Sequence, residues 1–115
     1  MMAHCSAALE MATGRVAPPR LLIGRLIGWA IKPLVLRENE PMRRNAPTAK
    51  ALLAAPDCDF AVEQQRLRQL VDDFTAAGPV GCTTHPHFIF GHLTPQQWAT
   101  LMYKHLDHHL RQFGV

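Results

Sequence analysis

Histidine is the residue type that stands out in this chain. Seven occur, and six of them lie between His85 and His109. Imidazole is the commonest protein metal ligand and the side chain whose ordinary pKa lies nearest neutrality. His105 and His109 are four residues apart, so on a helix they sit one turn apart on the same face. Trp98, Leu101, Met102 and Phe113 share that face at about 100° per residue. Thr100, Lys104, Asp107 and Arg111 are expected to point the other way. Two neutral imidazoles at this spacing can converge on one ion, as in helical zinc motifs. Leu106, Asp107 and His108 stand between them, so the glutamate of a metalloprotease HExxH pattern is missing. The alternative is a pair of core histidines bonded to backbone or to a carboxylate such as Glu10, because a buried ring needs partners for both nitrogens.

Other side chains are weaker candidates. His108 lies at the edge of the apolar stripe, where it would be a proton shuttle, a support for a ligand, or a solvated flank residue. His85, His87 and His92 fall in a long connection, and ordered loops carry function on a rigid scaffold. Of these, His85 is the candidate for lining a pocket. Arg43 and Arg44 form the densest basic pair and could receive an anionic group, since guanidinium matches carboxylate geometry. A plain surface role is the simpler reading for both. Cys5 adjoins His4, but neighbouring helix residues point about 100° apart, so it reads as a buried inert thiol. No phosphate-binding glycine loop, GxSxG elbow or paired-carboxylate motif is present.

The chain has 115 residues, 48% hydrophobic and 18% charged, as expected of one small globular domain. The net charge of +3 is spread along the sequence. It lacks the basic stripe with interleaved aromatics of a nucleic-acid surface. Cys5, Cys58 and Cys82 are odd in number and widely spaced, which points to reduced thiols and a cytoplasmic setting. The start lacks the basic and apolar regions of a secretory signal. The most apolar segment, 21–36, contains Arg25, Lys32 and Pro33 and is too short and charged to span a bilayer. No membrane partner is expected.

Several elements must position these groups. Residues 2–13 read as an alanine-rich helix closed by Gly14. Residues 20–32 read as a shorter helix ended or kinked by Pro33, with Leu22, Leu26, Trp29 and Ala30 on one face. Gly24 and Gly28 weaken it but would let another helix approach closely. Residues 37–50, with Pro41, Asn45 and Pro47, read as a surface loop, followed by a helical turn from Lys50 before Pro56. Asp59 is a helix N-cap, with Phe60, Leu67, Leu70, Val71 and Phe74 on one stripe and Gly78-Pro79 as the stop. Residues 79–93 form the long connection. Thr94-Pro95-Gln96-Gln97 then places Thr at N-cap, Pro at N1 and Gln at N3, a capping box that starts the histidine helix.

The final segment, TPQQWATLMYKHLDHHLRQFGV, resembles the C-terminal helix of the DinB-like superfamily of metal-binding helical bundles, chiefly through His105-Leu-Asp-His108-His109 followed by Arg111-Gln112. The segments KPLVLRENEPMRRNAPTAK and CTTHPHFIFGHLTPQQW extend the likeness, closest to an uncharacterised branch of that superfamily, over nearly the whole chain. The resemblance implies an all-α, up-and-down bundle with an H-x-x-x-H pair on the last helix and a third histidine on an earlier one. Here His4 is the candidate, so the implied ligands of a divalent metal are His4, His105 and His109. Three histidines with open positions describe a catalytic-type site, and zinc, nickel or iron would suit it. Some relatives are thiol-dependent transferases. That implies a low-molecular-weight thiol and a small electrophile as partners, with His108 as candidate base.

Members also carry a helix before the one bearing the first histidine, and Met1 falls inside the latter. The expected bundle is therefore incomplete, with three main helices, short turns and long loops. A strip of core on His4's helix would be open, inviting a homodimer. A non-catalytic metal-binding or interaction module and a truncated inactive product are the competing expectations.

Overall fold

The computed structural model describes residues 1–44, 46, 48–53, 55 and 57–115; Asn45, Pro47 and Pro56, placed above in the loop and at the end of the turn, lie outside the described residues, as does Ala54. The fold is all-α. Among the described residues four α-helices follow in order: α1 (Met2–Ala12), α2 (Leu22–Val35), α3 (Phe60–Ala77) and α4 (Pro95–Gln112). Short 3-10 turns occupy Lys50–Leu52 and Gly78–Gly81. No strand occurs among the described residues, and His87 and Gly91 form an isolated bridge.

Helix α1 is the centre of the domain, packed against both α3 and α4. Its side chains are apolar or small almost all round, as expected of a helix enclosed by the core. Cys5, Ser6, Leu9 and Ala12 are essentially inaccessible. The open strip expected on His4's helix is therefore not there, because α3, α4 and the Lys50–Leu52 turn cover it. Gly14 ends the helix with a positive φ of 79°, the left-handed stop that glycine adopts at low cost. Ion pairs Arg66–Glu10 (2.8 Å) and Arg15–Asp73 (3.6 Å) tie α3 to α1 and to its C-terminal end.

Helices α3 and α4 start as their sequences dictate. Asp59 accepts a hydrogen bond from the Val62 amide at 2.9 Å. The Thr94–Gln97 capping box is complete in both directions. On α3 only Leu70 is fully buried, with Leu67, Val71 and Phe74 packed against the core and Phe60 exposed. On α4, Trp98, Leu101 and Met102 are buried. Lys104, expected to face solvent, is buried as well, because its ammonium donates to the carbonyls of Val35 and Arg37 at the end of α2. Those carbonyls lack intrahelical partners, and a cation there also meets the negative end of the helix dipole.

Helix α2 departs furthest from expectation. It runs through Pro33 to Val35, since a proline so near the C-terminus removes only one helical bond. The apolar face that Leu22, Leu26 and Trp29 share is turned outward, each being about three-quarters exposed (76%, 74% and 76%). The buried line is Gly24 and Gly28. A Cβ on Gly28 would lie 2.1 Å from the Ile89 carbonyl oxygen, and one on Gly24 2.6 Å from the Ile89 Cα. The glycines thus admit the backbone of residues 88–90 rather than a second helix. The Arg20 guanidinium and Lys32 ammonium fasten this contact by donating to the carbonyls of Ile89 and His92.

Candidate metal centre

The connection before α4 is built around one histidine. The His87 and Gly91 backbones exchange hydrogen bonds of 2.8 and 3.1 Å, and Gly91 takes a φ of 73° to close the loop. His87 Nδ1 accepts from the amides of Ile89 (3.1 Å) and Phe90 (3.2 Å). The ring stacks on Phe88 and Phe90, with centroids 4.4 and 4.7 Å away, and leans on Trp98. Burial, with the nearby Arg20 charge adding to it, pushes its pKa down to about 3. His87 is therefore a neutral side chain that shapes the loop.

His4 on α1 and the pair on α4 come together where the two helices pack. His4 Nε2 lies 3.0 Å from His105 Nε2. One nitrogen from each of His4, His105 and His109 falls within 4.8 Å of the other two. Ring centroids are 4.7–5.0 Å apart. A tetrahedral zinc with bonds of 2.0–2.1 Å would need nitrogens about 3.3 Å apart. The triad thus spans the right range, and small ring rotations would close it.

Outer contacts set which nitrogens face inward. His4 Nδ1 is 2.8 Å from the Leu52 carbonyl. A carbonyl only accepts, so Nδ1 carries hydrogen and Nε2 is the nitrogen turned toward the centre. His109 Nδ1 meets Gln112 Oε1 at 3.2 Å, which leaves its Nε2 for the centre. Such outer acceptors fix the tautomer and orientation of ligating histidines. Burial, reinforced by His4 and His109, pushes His105 down to about 3, and burial with His4 also lowers His109. Both rings are therefore neutral at physiological pH, the form that binds metal.

The triad borders a cavity of about 290 Å³. Met11, Met42, Phe88, Phe90, Leu101 and Met102 supply apolar walls, and Arg43 lines it too. His108 lines the same cavity and meets the His109 ring edge-on at 5.1 Å. Three imidazoles beside an apolar cavity can hold a divalent cation and present its open positions to a small molecule.

The sequence pattern of the family described as "Protein of unknown function (DUF1569)" matches residues 1–114. The chain belongs to this family. No curated protein and no solved structure matches it. The family's description names no activity.

The remaining sequence candidates divide. Arg43 lines the triad's cavity, whereas Arg44 lines a neighbouring surface recess. His85 is exposed and is not among the residues lining either space, and His92 is exposed as well. His87 takes the pocket-lining place considered for His85. Glu10, the carboxylate suggested for a core histidine pair, is engaged by Arg66. Cys5 is fully buried, and burial pushes its thiol up to about 11, as an inert core thiol requires. Sequence reasoning missed the Leu52 carbonyl and Gln112. Gln112, three residues after His109, could have been found from helical spacing.

Proposed function

We propose that this DUF1569 chain binds one divalent metal through His4, His105 and His109 and uses it on a small molecule held in the adjoining cavity. The observation that carries this reading is the convergence of an α1 histidine with the α4 pair at the wall of an apolar cavity. Three imidazole donors suit zinc, nickel or iron, and three protein ligands with open positions suit catalysis better than structure. The likeness of α4 to the DinB-like superfamily, where some members are thiol-dependent transferases, favours an S-transferase type of reaction.

A metal bound here would supply a Lewis-acid position that lowers the pKa of a thiol. The protein's own groups do the rest. The Leu52 carbonyl and Gln112 orient the imidazoles. The methionine and phenylalanine walls keep water from the thiolate and seat the apolar part of an electrophile. Arg43 meets an anionic group of either substrate, and His108 takes the thiol proton. The thiolate sulfur forms a bond to the electrophilic carbon, and the leaving group departs with its electron pair.

The test has two stages. Metal content is measured after incubation with zinc, nickel or iron(II) and removal of excess. About one equivalent is expected in the parent protein and under a tenth in His109→Ala and His4→Ala. Consumption of a low-molecular-weight thiol with an activated electrophile is then followed with and without metal. Equal metal retention by the histidine variants would remove the site. Retention without thiol turnover would leave a metal-binding module and remove the transferase.

A further inference from the structure

The outer half of α2 has no cover in the domain. Leu22, Ile23, Leu26, Ile27, Trp29 and Leu34 are all exposed. They fall within an arc of about 160° at helical spacing. Scattered exposed apolar residues are ordinary, but a continuous strip of this kind marks an interaction surface. Its outward turn is built in. Gly24 and Gly28 form the opposite line, pinned on the Ile89 backbone at distances that no side chain could share. Rolling α2 inward would separate that contact and release the carbonyls held by Arg20, Lys32 and Lys104.

Charge identifies what covers this face. From Met11 to Arg37 the chain has five cations (Arg15, Arg20, Arg25, Lys32 and Arg37) and no carboxylate. Arg15 and Arg37 are answered by Asp73 and Glu40. Arg20, Arg25 and Lys32 make no ion pair among the described residues. Arg25 and Lys32 lie together on one flank of the apolar arc, and Arg20 sits at the helix start. A second copy docking α2 on α2 would set the Arg25 and Lys32 flanks against one another with no carboxylate on the helix to meet them. A surface that is apolar inside and anionic outside satisfies both features. At 14 residues the helix is about 21 Å long, and no described helix is long and apolar enough to cross a membrane.

We infer that α2 is a membrane-surface helix, seating its outer face in the boundary region of a bilayer rich in anionic phospholipid. Leu22, Leu26, Ile23 and Leu34 enter the acyl boundary, and Trp29 takes the interfacial position its amphipathic ring favours. Arg25 extends to the lipid phosphates, and Lys32, held by the His92 carbonyl, adds its charge to the same flank. This departs from the sequence expectation of no membrane partner, which considered spanning alone. It stands independently of the metal centre.

The full chain is mixed with vesicles of phosphatidylcholine alone or with about a quarter phosphatidylglycerol, at low and high salt. Co-sedimentation and tryptophan emission are read together. Trp98 is fully buried, so a blue shift reports Trp29. Binding to the anionic vesicles is expected to be roughly tenfold tighter and to weaken with salt. Leu26→Glu, at an exposed position where folding is unaffected, should reduce it at least about tenfold. Arg25→Glu should erase the preference for anionic lipid. Val80→Glu, exposed outside α2, should change nothing. Absence of sedimentation with either vesicle, or binding indifferent to Leu26→Glu, would overturn the inference. So would a dimer dissociated by Leu26→Glu without vesicle binding, which would assign the face to a second copy.

Discussion

His87 makes the stability of this domain depend on acid in a way that can be isolated. The ring is buried, stacked on Phe88 and Phe90, and its Nδ1 lone pair holds the amides of Ile89 and Phe90. Protonation would place a charge in the core and break both bonds. The folded pKa is accordingly pushed from 6.5 to about 3. A depressed histidine favours folding fully above its unfolded pKa, and that contribution is lost as pH falls toward the folded value. Between pH 8 and 5 the unfolded chain takes up a proton that the fold refuses, which costs about 2 kcal/mol. That is a large share of the roughly 5–15 kcal/mol available to a domain. Urea unfolding of the metal-free protein at pH 8 and pH 5 measures the total loss, to which His105 adds with the same sign. His87→Asn separates the two, because an asparagine Oδ1 can receive the same amides and does not titrate. The variant should be less stable at pH 8, having lost the stacked ring, yet its loss between pH 8 and 5 should be about 2 kcal/mol smaller. Equal pH losses in both proteins would refute the reasoning and show that the loop admits the charged ring.

Other perturbations test the remaining contacts. Gln112→Ala should weaken zinc binding about 10–100-fold in competition with a chromophoric chelator, and Gln112→Glu should restore most of it, because the outer acceptor orients His109. Saturating zinc at about a hundredfold its Kd should stabilise the parent by about 2.7 kcal/mol in thermal unfolding and leave His105→Ala unmoved. Gly28→Ala should destabilise by about 1–3 kcal/mol in urea despite alanine's better helix propensity, since its Cβ meets the Ile89 carbonyl. Lys104→Met should cost about 1–3 kcal/mol and speed amide exchange in the last turn of α2, whose carbonyls lose their donor.

Local signals were the legible part of this fold. The Asp59 cap, the Thr94–Gln97 box and the Gly14 stop each involve residues within a few positions of one another, and each forms as its sequence dictates. The His105–His109 pair is likewise a matter of helical spacing. His4 is different. It stands 101 positions from His105, and no periodicity connects them, so only the resemblance to a bundle family brought it into consideration. Once α1 is enclosed, its alanines admit α4 closely enough for the imidazoles to meet.

The misread elements share one cause. A helical wheel gives the angle of each side chain but not the direction of the core. Leu22, Leu26 and Trp29 do share a face, yet the backbone that α2 packs on lies about 60 residues later in the chain and demands the glycine line instead. Lys104 does lie off the α4 apolar stripe, yet the α2 C-terminus ends over it, and the Val35 and Arg37 carbonyls there are a stronger claim on an ammonium than solvent is. His87 carries no local mark that sets it above His85, the loop histidine expected to line a pocket, and only the closed loop gives its Nδ1 two amides. In each case a backbone group exposed by the ending or bending of one element selects a side chain on another. That selection depends on long-range placement, and one sequence read alone records the side chain but not the group that claims it.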